Sequence, residues 1–131
     1  MTTSKCRTAV LICACAVTPA YAADFDGSKP LICASVQAMD CTAGHGCVTG
    51  TPFEIGAPTF MRLDFAKKTV GGPNRTTVIQ SMENDQQQTV LRGSELGYAW
   101  TMAIDRNDGR MVASLTDVNG VFAVFGSCAP L

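Results

Sequence analysis

The sequence contains little of the chemistry that most enzymes and nucleic-acid-binding proteins use. Its 131 residues include a single histidine, His45, so any catalytic triad or histidine-dependent metal site would need that one side chain. No Gly-x-Ser-x-Gly elbow and no nucleotide-binding motif occurs. The basic residues form no run, which disfavours nucleic acid as a partner. We therefore expect a protein that is not an enzyme and contains no cofactor.

Long hydrophobic runs are also missing, apart from one short run near the start. Lys5 and Arg7 precede an apolar run over residues 9–17, which is followed by an Ala-Tyr-Ala tripeptide ending at Ala22. A basic start, a short apolar run and small residues are typical of a secretory signal peptide. Since a membrane span needs about 20 apolar residues, we expect cleavage after Ala22, no membrane span in the mature chain, and a periplasmic or secreted protein.

Two other interpretations of this segment remain open. In one, Cys15 is the lipidated residue of a lipoprotein leader, although the apolar stretch before it is very short. In the other, residues 9–17 form a buried helix, which the charged start disfavours. Cleavage after residue 22 would leave residues 23–131 as one small domain with a net charge of about −3.

Four of the seven cysteines, Cys33, Cys41, Cys47 and Cys128, lie in that domain. An even number of cysteines in a short exported chain predicts disulfides, and four cysteines allow three pairings. We favour Cys41–Cys47, which closes a local loop, and Cys33–Cys128, which joins the two ends of the domain. His45 lies between Cys41 and Cys47, but oxidised cysteines lack the thiolates that bind a metal. A turn inside a disulfide ring is therefore the simpler interpretation.

Alternating apolar residues predict an all-β domain. In residues 98–105 the large side chains Tyr98, Trp100, Met102 and Ile104 recur with a period of two, as they do in a strand with one buried face. Turn signals separate further strand-like segments at residues 60–65, 69–70, 76–82, 87–92, 110–116 and 121–128. Short strands at this spacing predict an antiparallel up-and-down meander or a small closed barrel of about seven or eight strands.

Four local patterns refine this prediction. Residues 31–39 favour a strand over a helix, because their even positions are all apolar. The segment Thr51-Pro52-Phe53-Glu54 predicts one short helical turn that ends near Gly56. Asn119-Gly120 predicts a type I′ hairpin turn. The last strand is apolar on both faces, so we expect it to be central or to close a barrel.

The aromatic residues of these strands suggest a binding site. We predict that Tyr98, Trp100 and Phe125 line a pocket inside the barrel or at its mouth. The function that this pattern favours is that of a non-catalytic periplasmic binding or accessory module. Its partner would be a protein or a small apolar ligand.

Two other functions are kept as alternatives. The first is a copper carrier that uses His45 and the methionines that remain after cleavage. However, the apolar strand positions of Met61 and Met102 favour a role as core residues. The methionines concerned are Met39, Met61, Met82, Met102 and Met111.

The second alternative is a small enzyme that uses carboxylates such as Asp64 or Asp105. It would require two carboxylates in one cleft, with a raised pKa. The segment 105–109 has the composition of a calcium loop, but its glycine stands at the fifth position and Thr116 stands where the bidentate Glu belongs. A hairpin turn therefore explains this segment without a metal.

Residues 24–31, 60–69 and 125–128 resemble segments of small uncharacterised exported proteins of Gram-negative bacteria. The resemblance covers most of the mature chain and implies export, but no particular activity. The arrangement of an early and a late cysteine around a β meander is also similar to that of membrane-bound inhibitors of C-type lysozyme. That similarity is one of architecture, because residues 93–98 match the family's Ser-Gly-x-x-Tyr loop only distantly.

Mass spectrometry of the protein purified from the periplasm tests the predicted processing. We expect the chain to start at Ala23 and its denatured mass to lie four hydrogens below that of the reduced chain, because two disulfides have formed. A mass that includes the leader, or a lipid on Cys15, would contradict the predicted cleavage.

Overall fold

The computed structural model describes residues 25–131, and the predicted signal peptide lies outside them. Every regular element of the described residues is a β-strand, which confirms the all-β prediction. The structure has ten strands, where the sequence predicted seven or eight. They are β1 Leu31–Thr42, β2 Gly46–Gly50, β3 Phe60–Asp64, β4 Thr69–Gly71, β5 Thr76–Val78, β6 Ser81–Asn84, β7 Gln88–Glu95, β8 Tyr98–Asp105, β9 Arg110–Thr116 and β10 Gly120–Pro130.

The strands form one antiparallel sheet in the order β5-β4-β3-β1-β10-β9-β8-β7-β6. The first half of β1 pairs with β3, and its second half pairs with β2 on the same side. As predicted, the last strand is central, because β10 lies between β1 and β9. The predicted strand at residues 31–39 is confirmed as part of β1.

The two ends of the strand order are joined by a short link, Ile79-Gln80. The Ile79 amide donates to the Lys68 carbonyl, and the Gln80 amide donates to the Arg92 carbonyl, each at 2.8 Å. The sequence predicted a single strand over residues 76–82. The structure divides it, because the part before the link pairs with β4 and the part after it pairs with β7. The sheet is therefore curled into a half-barrel, and the link joins β5 to β6 without strand pairing between them.

The concave face of the curled sheet holds the hydrophobic core. Neighbouring strands place Met102, Ala113 and Val124 in one register row, and Ile104 and Met111 in the next. All five are buried. Burial of each large apolar side chain contributes about 1.5–3 kcal/mol relative to exposure, so the face that these alternating residues share determines which way the sheet curls.

One end of the core is sealed by the segment that precedes β1. Phe25 is buried there, and its carbonyl accepts a hydrogen bond of 2.8 Å from the Thr89 hydroxyl. Asn84 donates to the carbonyl of Asp26 at 2.9 Å. Gly109 makes room for the Phe25 ring, because a Cβ atom at this position would lie 2.5 Å from it. This segment therefore closes the end of the sheet that carries the β8–β9 turn.

Both favoured disulfides, Cys33–Cys128 and Cys41–Cys47, are present. Each joins residues that face each other in the sheet, the first between β1 and β10 and the second between β1 and β2. The first closes a loop of 95 residues. In the chain-entropy model such a loop contributes about 4–5 kcal/mol to stability.

The predicted helical turn is wrong, although its capping hydrogen bonds form. Glu54 accepts hydrogen bonds from the amide and the hydroxyl of Thr51, at 2.8 and 2.9 Å. Residues 51–56 nevertheless form successive turns, and Gly56 adopts a φ of 73°. This left-handed residue ends the helical geometry before a helix can form. None of the residues that the structure describes belongs to a helix with the length and hydrophobicity of a membrane span.

The type I′ turn was predicted at the wrong hairpin. Neither Asn119 nor Gly120 has a positive φ, and the Asp117 side chain holds this turn by accepting hydrogen bonds from both of their amides. The two-residue turn with positive φ at both positions is Leu96-Gly97, between β7 and β8, with φ values of 51° and 86°. The prediction failed because leucine is not a residue that favours this conformation.

Replacement of Leu96 by asparagine tests this strained turn. A non-glycine residue in the left-handed conformation costs about 1 kcal/mol, and asparagine tolerates it better than leucine does. We expect Leu96→Asn to raise the thermal midpoint by about 4 °C, whereas Leu96→Ala, which keeps the unfavourable φ, does not. An unchanged or lower midpoint for Leu96→Asn in thermal unfolding would contradict the assigned turn.

Candidate functional site

The structure brings together two of the three aromatic residues that were predicted to form a binding site. Tyr98 and Trp100 share the concave face of β8 with the core residue Met102. Phe125 lies on the convex face instead, in one register row with Val112 and Ala103. The two faces of β10 are both apolar, so alternation alone could not assign Phe125 to the correct side.

The aromatic residue that packs against Tyr98 is Phe122, which was not among the predicted site residues. Their rings pack edge to face with centroids 6.2 Å apart. Phe122 belongs to a register row that crosses the concave face from β2 to β8, through β1, β10 and β9. We name it the concave row, and its members are Val48, Asp40, Phe122, Leu115 and Trp100. Most members are half-buried, and Val48 is 66% exposed.

Trp100, on β8, is the half-buried residue at one end of this row. Its ring lies over Gly93 of β7, where an added Cβ atom would be 2.3 Å from the ring. Its indole N–H donates to the Thr77 hydroxyl at 3.3 Å. Trp100 also packs against the buried core. A glycine opposite an aromatic residue in a sheet is commonly covered by that ring, so the pair fixes the indole in place.

Three turns surround the concave row at the same end of the sheet. They join β1 to β2 at residues 43–45, β7 to β8 at residues 96–97, and β9 to β10 at residues 117–119. Two of these turns carry a large exposed apolar side chain at the tip, with Leu96 73% and Val118 100% exposed. We name the concave row, Tyr98, Leu96 and Val118 together the apolar end.

The opposite end of the sheet is different in character. Its turns at residues 85–87 and 106–109 consist mainly of Asp, Asn, Gln and Arg, and Phe25 closes the core behind them. Arg110 forms ion pairs there with Asp105 and Asp108, at 3.5 and 2.7 Å. Leu96 and Val118 therefore distinguish the apolar end from this polar end, whereas Phe53, 86% exposed, lies in the separate turns between β2 and β3.

The charged groups of the apolar end are mainly acidic. Asp40 is half-buried in the concave row, and its carboxylate has no hydrogen bond or ion pair within residues 25–131. Glu95 lies 4.0 Å from Arg75, and Asp117 accepts hydrogen bonds within its own turn. Hydrogen bonds from the Asn119 amide and side chain lower the pKa of Asp117. These groups give the apolar end a negative potential at neutral pH.

The two carboxylates proposed for catalysis stabilise separate turns. Asp64 accepts a hydrogen bond from the Lys67 amide at 3.0 Å, and this bond lowers the pKa of Asp64. Asp105 accepts one from the Asn107 amide at 2.8 Å. Of the described carboxylates that have a resolved pKa shift, each has a lowered pKa, caused mainly by hydrogen bonds at a turn. They are Asp26, Glu54, Asp64, Asp85, Asp108 and Asp117.

The residues considered for copper binding lie apart from one another. Met61, Met102 and Met111 are buried in the core, whereas His45 is exposed in the β1–β2 turn. Within the described part of the chain, no three His, Cys, Asp or Glu side chains form a group that could hold a metal ion. Met61 and Met102 are therefore core residues, as their strand positions indicated, whereas Met39 is half-buried and Met82 is 45% exposed.

Two shallow grooves, of about 370 and 330 Å³, lie elsewhere on the surface. Both are centred on Arg62 and Gly71, and the first also contains Ile32 and Phe60. Neither is lined by Tyr98, Trp100 or Phe125. The predicted aromatic residues therefore belong to a surface that is open to solvent and not to either groove.

No protein-family model, no curated protein and no solved structure matches this chain. What the protein does is therefore inferred from the geometry and chemistry of its own residues.

The pH dependence of unfolding tests the role of the carboxylates in the turns. Because the pKa values of these groups are lowered on folding from ordinary values of 3.8 for Asp and 4.5 for Glu, their stabilising effect is complete above those values and is lost as the pH falls below them. We expect a lower thermal midpoint at pH 3 than at pH 6.

The matched control is the double variant Asp85→Asn and Asp117→Asn. It keeps an acceptor oxygen in each turn but removes two titrating groups, so its midpoint should fall less between pH 6 and pH 3. An equal fall in the variant and the wild type would contradict the assignment of these hydrogen bonds.

Proposed function

We propose that the protein is a non-catalytic binding module that recognises a protein partner through its apolar end. One observation carries this proposal: Leu96 and Val118 expose their side chains at turn tips beside the half-buried rings of Tyr98 and Phe122. Exposed apolar side chains grouped in this way are typical of interaction surfaces. Aromatic residues at the centre of such a surface supply much of the binding energy.

Leu96 supports the proposal through its conformation. It has a φ of 51° and is 73% exposed. Both features are unfavourable, since the left-handed conformation costs leucine about 1 kcal/mol and the apolar side chain lies in water. Strained residues often occur at functional sites. Contact with a partner would bury Leu96 and offset its exposure.

The arrangement favours a protein partner over a small apolar ligand. Trp100 packs against a core in which Met102, Leu91 and Val124 are all nearly inaccessible to solvent. The exposed apolar groups project from separate turns instead of lining an enclosed space. Small ligands usually bind in concave sites that bury most of their surface, whereas a protein can contact several turn tips at once.

The charge of the apolar end favours a basic partner. Asp40 and Glu95 are half-buried there, and Asp40 lacks a partner among the described residues. A Lys or Arg side chain of the partner that approached Asp40 would gain a charge-assisted hydrogen bond. Complementary charge also raises the rate of association at low salt.

We place this function outside the cytoplasm, in the periplasm or beyond the cell. Disulfides persist mainly in oxidising compartments, and the structure contains two. The basic start and short apolar run of the predicted leader support the same location. The catalytic alternative has less support, because Asp64 and Asp105 are each engaged in a turn.

Selection of peptides tests the proposed function. A phage-displayed library of random dodecapeptides is selected against the protein, and the affinity of enriched peptides is measured by the fluorescence of Trp100, the single tryptophan. We expect enriched peptides to combine Lys or Arg with aromatic or aliphatic residues. The double variant Leu96→Asp and Val118→Asp should bind them at least about tenfold more weakly.

The matched control introduces the same charges on the convex face, as Val36→Asp and Val112→Asp, where both valines are also exposed. Equal weakening by the control, or no enrichment over an unrelated protein, would contradict the proposal. A small apolar molecule that copurifies and is released on denaturation would favour the ligand alternative instead.

A further inference from the structure

We infer that β2 is a site of strand addition, at which an extended basic segment of a partner protein pairs with the outer edge of the sheet. This inference rests on the proposed function and specifies how the partner binds. β2 pairs with β1 alone. Its four N-terminal residues are exposed, and Gly50 is half-buried. Strand addition at an exposed edge is a common mode of peptide recognition.

The register shows which backbone groups of β2 face outward. The Cα atoms of Cys41 and Cys47 are 4.0 Å apart, which identifies them as a pair without mutual ladder hydrogen bonds. In an antiparallel ladder the amides and carbonyls of such residues point away from the partner strand. Cys47 and, two residues later, Thr49 therefore direct their backbone groups to the outer edge. Within residues 25–131 no group bonds to them.

β2 lacks two of the features that usually protect an edge strand from pairing, a charged side chain and a proline. Its sequence, Gly46-Cys-Val-Thr-Gly50, contains no charged residue and no proline. β6, at the end of the strand order, differs because it has a charged residue and is covered by another segment. It carries Glu83, and the N-terminal segment lies beside it, with Gly27 against Met82. Of these two edges, β2 is the one open to a further strand.

The Cys41–Cys47 disulfide holds this edge in place. It joins β2 to β1 next to the hairpin turn, so the first residues of the strand cannot separate from the sheet. Ordering a segment before binding reduces the entropy that association must overcome. A short strand that would otherwise be marginal is thereby presented as a rigid template.

The charges around β2 define the chemistry of the added segment. Val48 faces Asp40 across the β1–β2 pair, on the concave face. At the other end of β2, the Glu54 carboxylate lies 3.1 Å from the position that a Cβ atom of Gly50 would occupy. A strand beside β2 would direct every second side chain to the concave face. Lys or Arg at those positions would meet Asp40 and Glu54, so a basic alternating segment fits this edge.

The test uses an acetylated and amidated nonapeptide of alternating lysine and valine, with its affinity measured by isothermal titration calorimetry. The key variant is Thr49→Pro, which removes an outward N–H without removing a ladder bond to β1. We expect it to weaken peptide binding about tenfold, the effect of one lost hydrogen bond. Thr49→Ala, which keeps the N–H, should bind as the wild type does.

A second measurement leaves the protein unchanged. The same peptide, N-methylated at every residue, cannot donate backbone hydrogen bonds along either edge, and we expect the wild-type protein to bind it at least about tenfold more weakly. Asp40→Asn should reduce both the affinity and its dependence on salt, because it removes a charge that the lysines face. An alternating glutamate and valine peptide should not bind.

Four results would overturn the inference. Equal binding of the N-methylated peptide, or equal effects of Thr49→Pro and Thr49→Ala, would show that the edge is not used. Equal binding of the acidic peptide would exclude a basic segment. A dimer that Thr49→Pro converts to a monomer would assign the edge to a second copy of this chain. If library peptides still depended on Leu96 and Val118, the proposed function would stand without strand addition.

Discussion

Pairing between β1 and β10, the first and the last strand along the chain, holds this domain together. β1 and β10 face each other along almost their whole length, from Leu31 opposite Pro130 to Thr42 opposite Gly120. Contacts this far apart in sequence are entropically expensive to form. The Cys33–Cys128 disulfide offsets that cost, because it crosses the same pair of strands. The remaining strands extend from this pair in both directions until they meet at the link through Ile79.

This arrangement makes the two ends of the curled sheet unequal. The end near Cys128 is covered by the segment that carries Phe25, which fills the space beside Gly109. At the other end, the second half of β1 is paired with the short strand β2, and no further strand pairs with the outer edge of β2. The half-buried rings of Phe122 and Tyr98 lie at that end. The proposed binding surface is therefore the place where the sheet is incomplete.

Much of the fold could be predicted from the sequence, because a period of two and recurrent turn residues are local signals. The strand at 98–105 and both disulfides follow from such signals. Phe125 was assigned to the wrong face because β10 is apolar on both sides. In β1, the irregular pairing between Ser35 and Gln37 shifts the alternation of buried and exposed residues by one position. β2 was missed because its five residues are exposed and gain their strand conformation only by pairing with β1. The turn at Leu96 was missed because only its second residue, Gly97, favours a positive φ.

The most direct test of the central claim is to map where a basic extended peptide contacts the protein. Backbone amide signals of the ¹⁵N-labelled protein are followed by NMR while the alternating lysine and valine nonapeptide is added. The account predicts that the largest shifts occur in residues 46–50 and in the turns at 96–97 and 117–119. Shifts centred on the polar turns at 85–87 and 106–109 would contradict it, as would the absence of any localised change.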